Sequence, residues 1–393
     1  MQYRVDERTG NRLSVLGFGC MRFSHGVGGI DIKKAEELIL RAIDRGVNYF
    51  DTAYLYSGSE AALGAILSKN NIRDKVFIAT KMPIANCRQG SDFDRFFESQ
   101  LASLNTGYID YYLMHNINSL RQWDALCALG IIEWIAAQRA AGRVRQIGFS
   151  FHGAKEEFSK LLDAYDWDFC QIQYNYSNEN YQAGVDGLKK AASKHIPVII
   201  MEPLLGGKLA TGLSIDALQV FQRENSSRSP ADWGLRWLWN QPEVTVVLSG
   251  MNEMTQLEEN LAAAAEASPG MLSDSEKQAY NRVIEIFKRT DKVPCTGCSY
   301  CLPCPQGVNI PACFASYNAS YTHGRIASIV MYTTSTAANR TDTGLASKCV
   351  GCGKCEEHCP QKIEIRRELA AVKRRMEPGW FRLAMKIVRG RAR

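Results

Sequence analysis

The chain has 393 residues, of which 46% are hydrophobic, 10% aromatic and 22% charged. This composition excludes a disordered or fibrous protein and suggests two or three domains. The net charge is +6, but residues 361–393 hold 11 Lys and Arg against 3 Asp and Glu, so the remainder is mildly acidic and no basic module indicates nucleic-acid binding. Since no apolar run reaches the roughly 18 residues of a membrane helix and no signal-peptide core is present, we expect a cytoplasmic protein.

Between residues 16 and 265, short apolar segments alternate with segments that are amphipathic at helical spacing. Eight such repeats predict a (β/α)8 TIM barrel. A doubly wound open sheet is the alternative, but Leu16–Cys20 lacks the third glycine of a dinucleotide-binding turn. The predicted strands are 15–18, 47–50, 76–80, 108–114, 144–150, 169–174, 198–201 and 244–248, and the predicted helices are 32–45, 59–68, 92–105, 124–141, 155–165, 181–194, 230–240 and 253–266.

A second domain follows a break at residues 268–270. Ser273 and Glu276 have the spacing of a capping box and predict the start of a helix. Residues 311–321 and 325–333 also have helical patterns, so we expect a mostly helical module. The predicted domains are a barrel at 1–270, a ferredoxin-like 4Fe-4S domain at 271–376 and a basic amphipathic tail at 377–393.

Nine of the 13 cysteines lie in residues 295–359, mostly in two runs. Disulfide scaffolds belong to short secreted chains, so dense cysteine in this long chain indicates metal. The second run has the C-x2-C-x2-C-x3-C-P spacing of bacterial [4Fe-4S] ferredoxins, whereas the first run closes with x2. The first run is Cys295, Cys298, Cys301 and Cys304, and the second run is Cys349, Cys352, Cys355 and Cys359.

In two-cluster proteins the fourth cysteine of a run ligates the other cluster. We therefore expect two [4Fe-4S] clusters, which either conduct electrons or staple the domain; conduction is the favoured hypothesis. Two structural zinc ions are the alternative, but zinc sites usually separate two C-x2-C pairs by a dozen or more residues. Cys313 is left over and is expected to be a buried small residue. The predicted ligand sets are Cys295, Cys298, Cys301 and Cys359 for one cluster, and Cys349, Cys352, Cys355 and Cys304 for the other.

Polar residues follow three successive predicted strands of the barrel. Asp51 ends the second strand, and Tyr56 lies five residues further on in the following loop. Lys81 ends the third strand and His115 ends the fourth. Barrel enzymes carry their chemistry at the carboxyl ends of the strands, so we expect these four side chains to converge on one pocket.

With these residues the sequence resembles the aldo/keto reductase family, in the branch that carries a C-terminal ferredoxin-like domain. The resemblance covers nearly the whole chain, and the catalytic tetrad maps onto Asp51, Tyr56, Lys81 and His115 without substitution. It implies reduction of a small-molecule carbonyl, or oxidation of an alcohol. A tyrosine has a pKa near 10, and a nearby ammonium favours the phenolate. Tyr56 would therefore be the general acid beside Lys81, and a neutral His115 would orient the carbonyl.

The resemblance also implies a nicotinamide cofactor. Ser150 and Gln171 match residues that hold the carboxamide, but the asparagine that usually follows the serine is Phe151, and Met201 stands in place of a stacking aromatic. Gly250 and Gln256 stand where cations commonly hold the 2′-phosphate, which weakens the case for NADP(H) over NAD(H) and leaves room for a flavin. The further implied nucleotide contacts are Pro203, Leu204, Gly206, Lys208, Gly250, Asn252, Gln256, Glu259 and Asn260.

The favoured hypothesis is a carbonyl-reducing oxidoreductase with an attached two-cluster domain. One alternative is a flavin- or ferredoxin-coupled reductase that takes electrons through the clusters from a reduced ferredoxin or flavodoxin; another is a non-catalytic redox-sensing module. Residues 380–393 predict a short amphipathic helix, expected to be solvated and packed on the domain. A docking patch for an acidic electron carrier, or contact with an anionic membrane surface, is the alternative for this tail.

Overall fold

Eight parallel strands close into a barrel, which confirms the expected fold. The computed structural model describes residues 1–26, 28–322, 324–336 and 343–381. In chain order the strands are β1 (Tyr3–Val5), β2 (Arg12–Ser14), β3 (Leu16–Gly19), β4 (His25–Gly26), β5 (Gly29–Ile30), β6 (Tyr49–Asp51), β7 (Phe77–Met82), β8 (Ile109–Met114), β9 (Val144–Phe151), β10 (Phe169–Gln173), β11 (Val198–Met201) and β12 (Val244–Ser249). The barrel consists of β3 and β6–β12, and β12 pairs with β3 to close it.

The predicted helices are present, although one of them is divided and several further helices were not predicted. The predicted helix at 124–141 is two helices, because Gly130 adopts φ = +85°, a conformation that glycine reaches without strain. The helices in residues 208–224, 354–357 and 365–376 were not predicted. In chain order the helices are α1 (Ile32–Asp44), α2 (Ser59–Lys69), α3 (Ser91–Leu104), α4 (Leu120–Ala128), α5 (Ile131–Ala140), α6 (Lys155–Ala164), α7 (Gly184–Ser193), α8 (Lys208–Thr211), α9 (Ile215–Glu224), α10 (Pro230–Trp239), α11 (Met254–Ala265), α12 (Asp274–Thr290), α13 (Ile310–Thr322), α14 (Arg325–Ser335), α15 (Lys354–Glu357) and α16 (Ile365–Met376).

The lower half of the barrel interior is an apolar core. Tyr111 contacts Tyr49 and Phe169 across it, with ring centroids 5.2 and 5.0 Å apart. Leu13, from the hairpin β1–β2, packs into the same core near the amino ends of the strands. Side chains alternate along a strand, so residues two positions after Tyr49 and Phe169 also point inward. These are Asp51 on β6 and Gln171 on β10, and both lie nearer the carboxyl ends of the strands. The interior therefore changes from aromatic at one end to polar at the other.

The chain divides by its contacts into two units. One contains Met1–Pro203 and Asp232–Leu272, and the other contains Leu204–Ala231 and Ser273–Arg393. Within the described residues no helix has the length and hydropathy needed to cross a membrane. Beyond residue 381 the predicted amphipathic tail lies outside the described residues, so that helix stays a prediction.

The second unit is mostly helical. Its helix α12 begins with the predicted capping box: Ser273 Oγ accepts a hydrogen bond from the Glu276 amide at 3.2 Å, and a Glu276 carboxylate oxygen accepts one from the Ser273 amide at 2.7 Å. Helix α9 packs on α12 through Phe221 and Tyr280, whose rings lie 5.5 Å apart. Helix α13 packs against both α14 and α16, and these helices enclose a core that adjoins the cysteine runs.

Candidate active site and cluster sites

Asp51 and Lys81 form a buried ion pair inside the barrel. The Lys81 ammonium donates to Asp51 Oδ1 at 2.6 Å and to the Thr52 carbonyl at 2.8 Å. The other carboxylate oxygen, Oδ2, accepts a hydrogen bond from Gln171 Nε2 at 3.1 Å. Neighbouring strands β6 and β7 bring the pair together, because Asp51 lies opposite Ala79, two residues before Lys81. The carboxylate is thus held by two donors.

Burial opposes the charges of this pair. It lowers the pKa of Lys81 and raises the pKa of Asp51, and in each case the partner's opposite charge acts in the other direction. The ammonium of Lys81 is therefore maintained by Asp51 rather than by water. This arrangement supplies a fixed positive charge within the barrel.

The structure brings Tyr56 and His115 to the same place. Lys81 Nζ lies 5.0 Å from the centre of the Tyr56 ring. The His115 ring meets that ring edge to face, with centroids 6.0 Å apart. Burial, followed by the nearby charge of Lys81, holds the pKa of His115 well below its usual value of 6.5, so its imidazole is neutral. Its Nδ1 is buried and has no hydrogen-bond partner.

Three of the residues matched to the nicotinamide lie beside this tetrad. Ser150 and Gln171 are directly opposite each other on β9 and β10, and Ser150 Oγ accepts a hydrogen bond from the Asn116 amide at 2.8 Å. Met201 ends β11, where it is partly buried. Phe151 instead faces outward, and its ring packs on Phe158 of α6 at 5.1 Å. Phe151, which stands where the family usually has asparagine, therefore packs between the strands and the helices.

The residues matched to the adenine side lie after β12 and on α11. Asn260 is buried, and its side-chain amide donates to Ser249 Oγ at 3.0 Å. Gln256 is exposed, and its Oε1 accepts a hydrogen bond from the Asn252 amide at 3.0 Å. Glu259 is exposed on the same helix, and a side chain added at Gly250 would contact Arg22. Gly250 and Gln256, which stand where the family commonly has cations, are therefore both neutral.

The loop matched to the pyrophosphate belongs by its contacts to the second unit, since the division of the chain falls between Pro203 and Leu204. Lys208 forms an ion pair with Asp291 and donates to the Val293 carbonyl at 2.8 Å. Gly206 has φ = +68°, and a Cβ there would lie 2.1 Å from the Thr296 carbonyl oxygen. Only glycine fits this approach. The loop therefore packs on the chain that enters the first cysteine run.

Four thiols line one cavity in the second unit. Burial raises the pKa of Cys301 to about 12 and also raises that of Cys295. Within the described residues, no three His, Cys, Asp or Glu side chains are arranged to hold a single metal ion. The cavity is lined by Cys295, Cys298, Cys301 and Cys359, together with the apolar side chains of Ile310, Phe314, Ile363 and Ile365. Four cysteine thiols are the donor set that an iron–sulfur cluster requires, so these residues fit such a cluster.

The remaining cysteines of the two runs form a second group. The nearby thiols of Cys349 and Cys304 add to burial in raising the pKa of Cys355. Cys352, on the same loop, is exposed. Cys313 is buried elsewhere, and its thiol donates to the Gly344 carbonyl at 3.5 Å. The structure thus places Cys359 with three thiols of the first run and Cys304 near Cys355 of the second run.

Some residues near the tetrad were missed in the sequence. Gln173, at the end of β10, is 2% exposed, and neither side-chain amide atom has a hydrogen-bond partner. His152 follows Phe151 and lies close enough to His115 to lower its pKa further; its Nδ1 is 3.2 Å from Gln182 Oε1. The spacing of Gln171 and Gln173 could have identified Gln173 from the sequence, since residues two positions apart lie on the same face of a strand.

Comparisons with known proteins identify both parts of the chain. Residues 15–275 match the model of the Aldo/keto reductase family, and residues 294–364 match that of the 4Fe-4S dicluster domain. The chain is 28% identical over 306 residues to "Uncharacterized oxidoreductase YrpG" of Bacillus subtilis (67% of this chain, 91% of that protein). It is 25% identical over 289 residues to "L-galactose dehydrogenase" of Arabidopsis thaliana (68% and 89%).

A solved structure is similar in fold. The aldo-keto reductase AKR11C1 from Bacillus halodurans (holo form) matches with a TM-score of 0.59 and 22% identity, over 72% of this chain and 96% of that one. At this identity the likeness concerns the fold alone. Since the family model covers well over half of the sequence, the chain belongs to the aldo/keto reductase family of oxidoreductases and carries a 4Fe-4S dicluster domain in its C-terminal part.

Proposed function

We propose that this protein reduces the carbonyl group of a small molecule with NADP(H) or NAD(H) at the site formed by Asp51, Tyr56, Lys81 and His115. The observation that carries the proposal is the position of the Lys81 ammonium, 2.6 Å from the Asp51 carboxylate and 5.0 Å from the centre of the Tyr56 ring. A structural ion pair alone would not need a phenol and a buried imidazole with an unpaired Nδ1 beside it. The catalytic barrel is residues 1–270, the cluster domain 271–376 and the tail 377–393.

Each side chain has one role in the proposed mechanism. Tyr56 donates its proton to the carbonyl oxygen, and the Lys81 ammonium stabilises the phenolate that remains. Asp51 keeps Lys81 charged. His115, which is neutral, donates a hydrogen bond that orients the carbonyl and supports the developing charge on its oxygen. The nicotinamide, when bound, supplies hydride to the carbonyl carbon.

The residues of the first unit fit a nicotinamide. Ser150, Gln171 and Met201 lie on three neighbouring strands beside the tetrad, and the buried Oε1 of Gln171 has no hydrogen-bond partner. A buried polar atom without a partner calls for an explanation, and a bound carboxamide would provide one here. Further nucleotide contacts come from the segment after β12 and from α11, through Gly250, Asn252, Gln256, Glu259 and Asn260.

The cluster domain holds two [4Fe-4S] clusters, with the fourth cysteine of each run exchanged. Cys295, Cys298, Cys301 and Cys359 hold one, and Cys349, Cys352, Cys355 and Cys304 hold the other. Thiolates are the ligands that such clusters require, so assembly releases the protons that the buried thiols otherwise retain. The clusters supply single-electron transfer, and an external ferredoxin or flavodoxin is the partner that this chemistry suggests.

Replacement of Tyr56 by Phe tests the reductase proposal. We expect carbonyl reduction to fall by about 10²–10⁴-fold, since the proton donor is lost, while the brown cluster absorbance is retained. Tyr54→Phe is the matched control, because Tyr54 is an exposed neighbour whose ring packs on Phe96. Wild-type activity in Tyr56→Phe, measured on anaerobically purified protein, would show that another group donates the proton.

A second function, electron-coupled reduction without a nicotinamide, is supported by the dicluster domain itself. In that case activity requires reduced ferredoxin or flavodoxin, and Cys301→Ser abolishes it. Turnover with NADPH or NADH that is unaffected by Cys301→Ser would contradict this second function and leave the first in place. Mass spectrometry of any organic cofactor released from the purified protein would detect a flavin.

A further inference from the structure

Helix α14 carries an apolar face that is exposed rather than packed. Ile326 and Val330, which lie one turn apart, are 81% and 61% exposed, and Met331 beside Val330 is 44% exposed. The opposite side of the helix is buried through Ile329 and Tyr332 and packs on α13 and α16. A group of exposed aliphatic side chains on one helix is typical of a surface that binds a partner. We call Ile326, Val330 and Met331 the α14 face.

An exposed tryptophan is held beside this helix. After α16 the chain returns to α14, where Tyr332 donates a hydrogen bond to the buried carboxylate of Glu377 at 2.5 Å. The ring of Phe381 packs on that of Tyr332, with centroids 6.1 Å apart. Trp380 lies between these two contacts and is 60% exposed. An indole has a large apolar ring and one N–H donor, so it is suited to the boundary between water and lipid.

The chain around the α14 face is cationic. Residues 292–341 contain no Asp or Glu. Arg325, the first residue of α14, is exposed, and its Nε donates to the Arg375 carbonyl at 3.0 Å, so the start of α14 lies beside the end of α16. Lys373 and Arg374 are exposed in the last turn of α16. Exposed positive charges therefore lie close to the apolar side chains.

The acidic residues of α16 and its flanks do not offset these charges. Glu377 is buried and does not face solvent. Glu364 and Glu368 both form ion pairs with Arg367. The sequence of residues 382–393 adds five Lys and Arg and no acidic residue. The surface that complements this part of the chain is therefore both apolar and negatively charged.

Docking of an electron carrier does not explain the α14 face. A carrier must come close to a cluster, and the proposed ligand Cys352 is exposed next to Val350, which is 65% exposed. Helix α14 contains no proposed ligand. It packs through its other side on α13, whose Phe314 lines the cavity of the first cysteine run. The α14 face is thus turned away from that cavity, and a lipid surface fits it better than an electron carrier does.

We propose that the α14 face and Trp380 bind the surface of an anionic lipid bilayer. The aliphatic side chains and the indole enter one leaflet, and α14 lies along the surface without crossing it. The cations Arg325, Lys373 and Arg374 meet the lipid phosphates. Because apolar contact and charge attraction act together, neither is sufficient alone and the binding is reversible. This interaction is separate from carbonyl reduction in the barrel.

Sedimentation with lipid vesicles measures this binding. The full-length, cluster-loaded protein is mixed anaerobically with vesicles of phosphatidylcholine, or of equal parts of phosphatidylcholine and phosphatidylglycerol. We expect the anionic vesicles to bind wild type about tenfold more tightly or better, and this binding to weaken as salt rises from about 0.1 M to about 1 M. Equal, weak binding to both kinds of vesicle would overturn the proposal.

Two double variants separate the apolar from the charged contribution. Ile326→Ser with Val330→Ser is expected to weaken binding to anionic vesicles by about tenfold or more. Lys373→Glu with Arg374→Glu is expected to weaken it by about tenfold and to reduce the preference for anionic lipid. The control is Ile215→Ser, which removes a 67% exposed isoleucine of α9 and should bind as wild type does. The iron content of each variant shows whether the cluster domain has folded.

The same variants detect other partners of the α14 face. Wild-type vesicle binding in the folded serine double variant would overturn the proposal. So would a dimer in solution that dissociates in that variant, because a second copy of the chain would then cover the face. Reduction of the clusters by reduced ferredoxin that is lost in that variant, with vesicle binding unchanged, would assign the face to a protein carrier instead.

Discussion

The Lys81 ammonium lies 2.6 Å from the Asp51 carboxylate where both groups are almost completely buried. Water cannot stabilise either charge there, so each depends on the other. The Tyr56 ring lies 5.0 Å from the same ammonium. Asp51 therefore influences Tyr56 indirectly, by keeping Lys81 charged. In the proposed mechanism, a carboxylate that does not touch the proton donor can in this way control its acidity.

Asp51→Asn is expected to reduce carbonyl reduction by about 10²-fold or more. Without its partner, the buried Lys81 loses most of its charge at neutral pH, because burial already lowers its pKa. The basic limb of the pH–rate profile should shift upward, since the phenol of Tyr56 no longer has an ammonium beside it. Asp44→Asn, at an exposed ion pair with Arg41, is the control and should retain wild-type rates. An unshifted pH–rate profile in Asp51→Asn would show that Lys81 does not control the acidity of Tyr56.

The neutral state of His115 predicts the acid side of the same profile. Its pKa lies well below 6.5, so the protonated form appears only well below that pH and the imidazole stays neutral above it. We expect kcat/KM for carbonyl reduction to show no inflection near pH 6.5 between pH 5.5 and 8. An acid limb in this range that disappears in His115→Asn would contradict the neutral donor.

The exchange of the fourth cysteines predicts which substitutions act together. Cys359→Ser, although it lies in the second run, should remove the same cluster as Cys298→Ser, because these thiols line one cavity. Each variant should retain about four of eight iron atoms per chain. Spectra of the remaining reduced cluster should be the same in both and differ from those of Cys352→Ser. As a control, Cys313→Ser should keep all the iron. Matching spectra for Cys359→Ser and Cys352→Ser would show that Cys359 ligates the cluster of its own run, which would contradict the exchange.

The barrel and the tetrad could be predicted because each depends on short-range patterns. Strand ends place Asp51, Lys81 and His115 on one rim, and the alternation of side chains along β9 explains why Phe151 faces outward beside Ser150. The partner of Lys208 could not be predicted, because Asp291 is 83 residues away and only the folded second unit brings it near. Gln173 could have been found from its spacing to Gln171, but its lack of a partner is visible only in three dimensions.

Gln256 offers a test of nucleotide preference. It is exposed at the start of α11 and carries no charge, and its Oε1 accepts a hydrogen bond from the Asn252 amide. We expect Gln256→Arg to raise affinity for NADPH relative to NADH by about tenfold, because an arginine can pair with the 2′-phosphate. Gln256→Leu, which also removes the bond to Asn252, should leave the ratio unchanged. An unchanged ratio of NADPH to NADH affinity in Gln256→Arg would show that the adenosine ribose does not bind beside this residue.

Lys208 is held within the second unit by groups next to the first cysteine run. Asn318 shares its partners: the side-chain amide donates to Asp291 Oδ1 and to the Val293 carbonyl, both at 2.7 Å, and its Oδ1 accepts from the Val293 amide at 2.9 Å. The amide of Cys295 donates to the same Val293 carbonyl at 2.8 Å. The lysine and the asparagine thus fix the backbone two residues before a proposed cluster ligand.

Lys208→Met is therefore expected to loosen the cluster held by Cys295. It leaves Asp291 buried without its counter-charge, a change that typically costs about 3–5 kcal/mol, and it removes a cation near the Cys295 thiol. Iron should be released at lower urea concentration, and the reduction potential of that cluster should fall, since a positive charge favours the reduced state. Lys277→Met, at an exposed pair with Asp274, is the control. Wild-type iron retention together with tenfold weaker dinucleotide binding would instead assign Lys208 to the pyrophosphate, as the family resemblance implies.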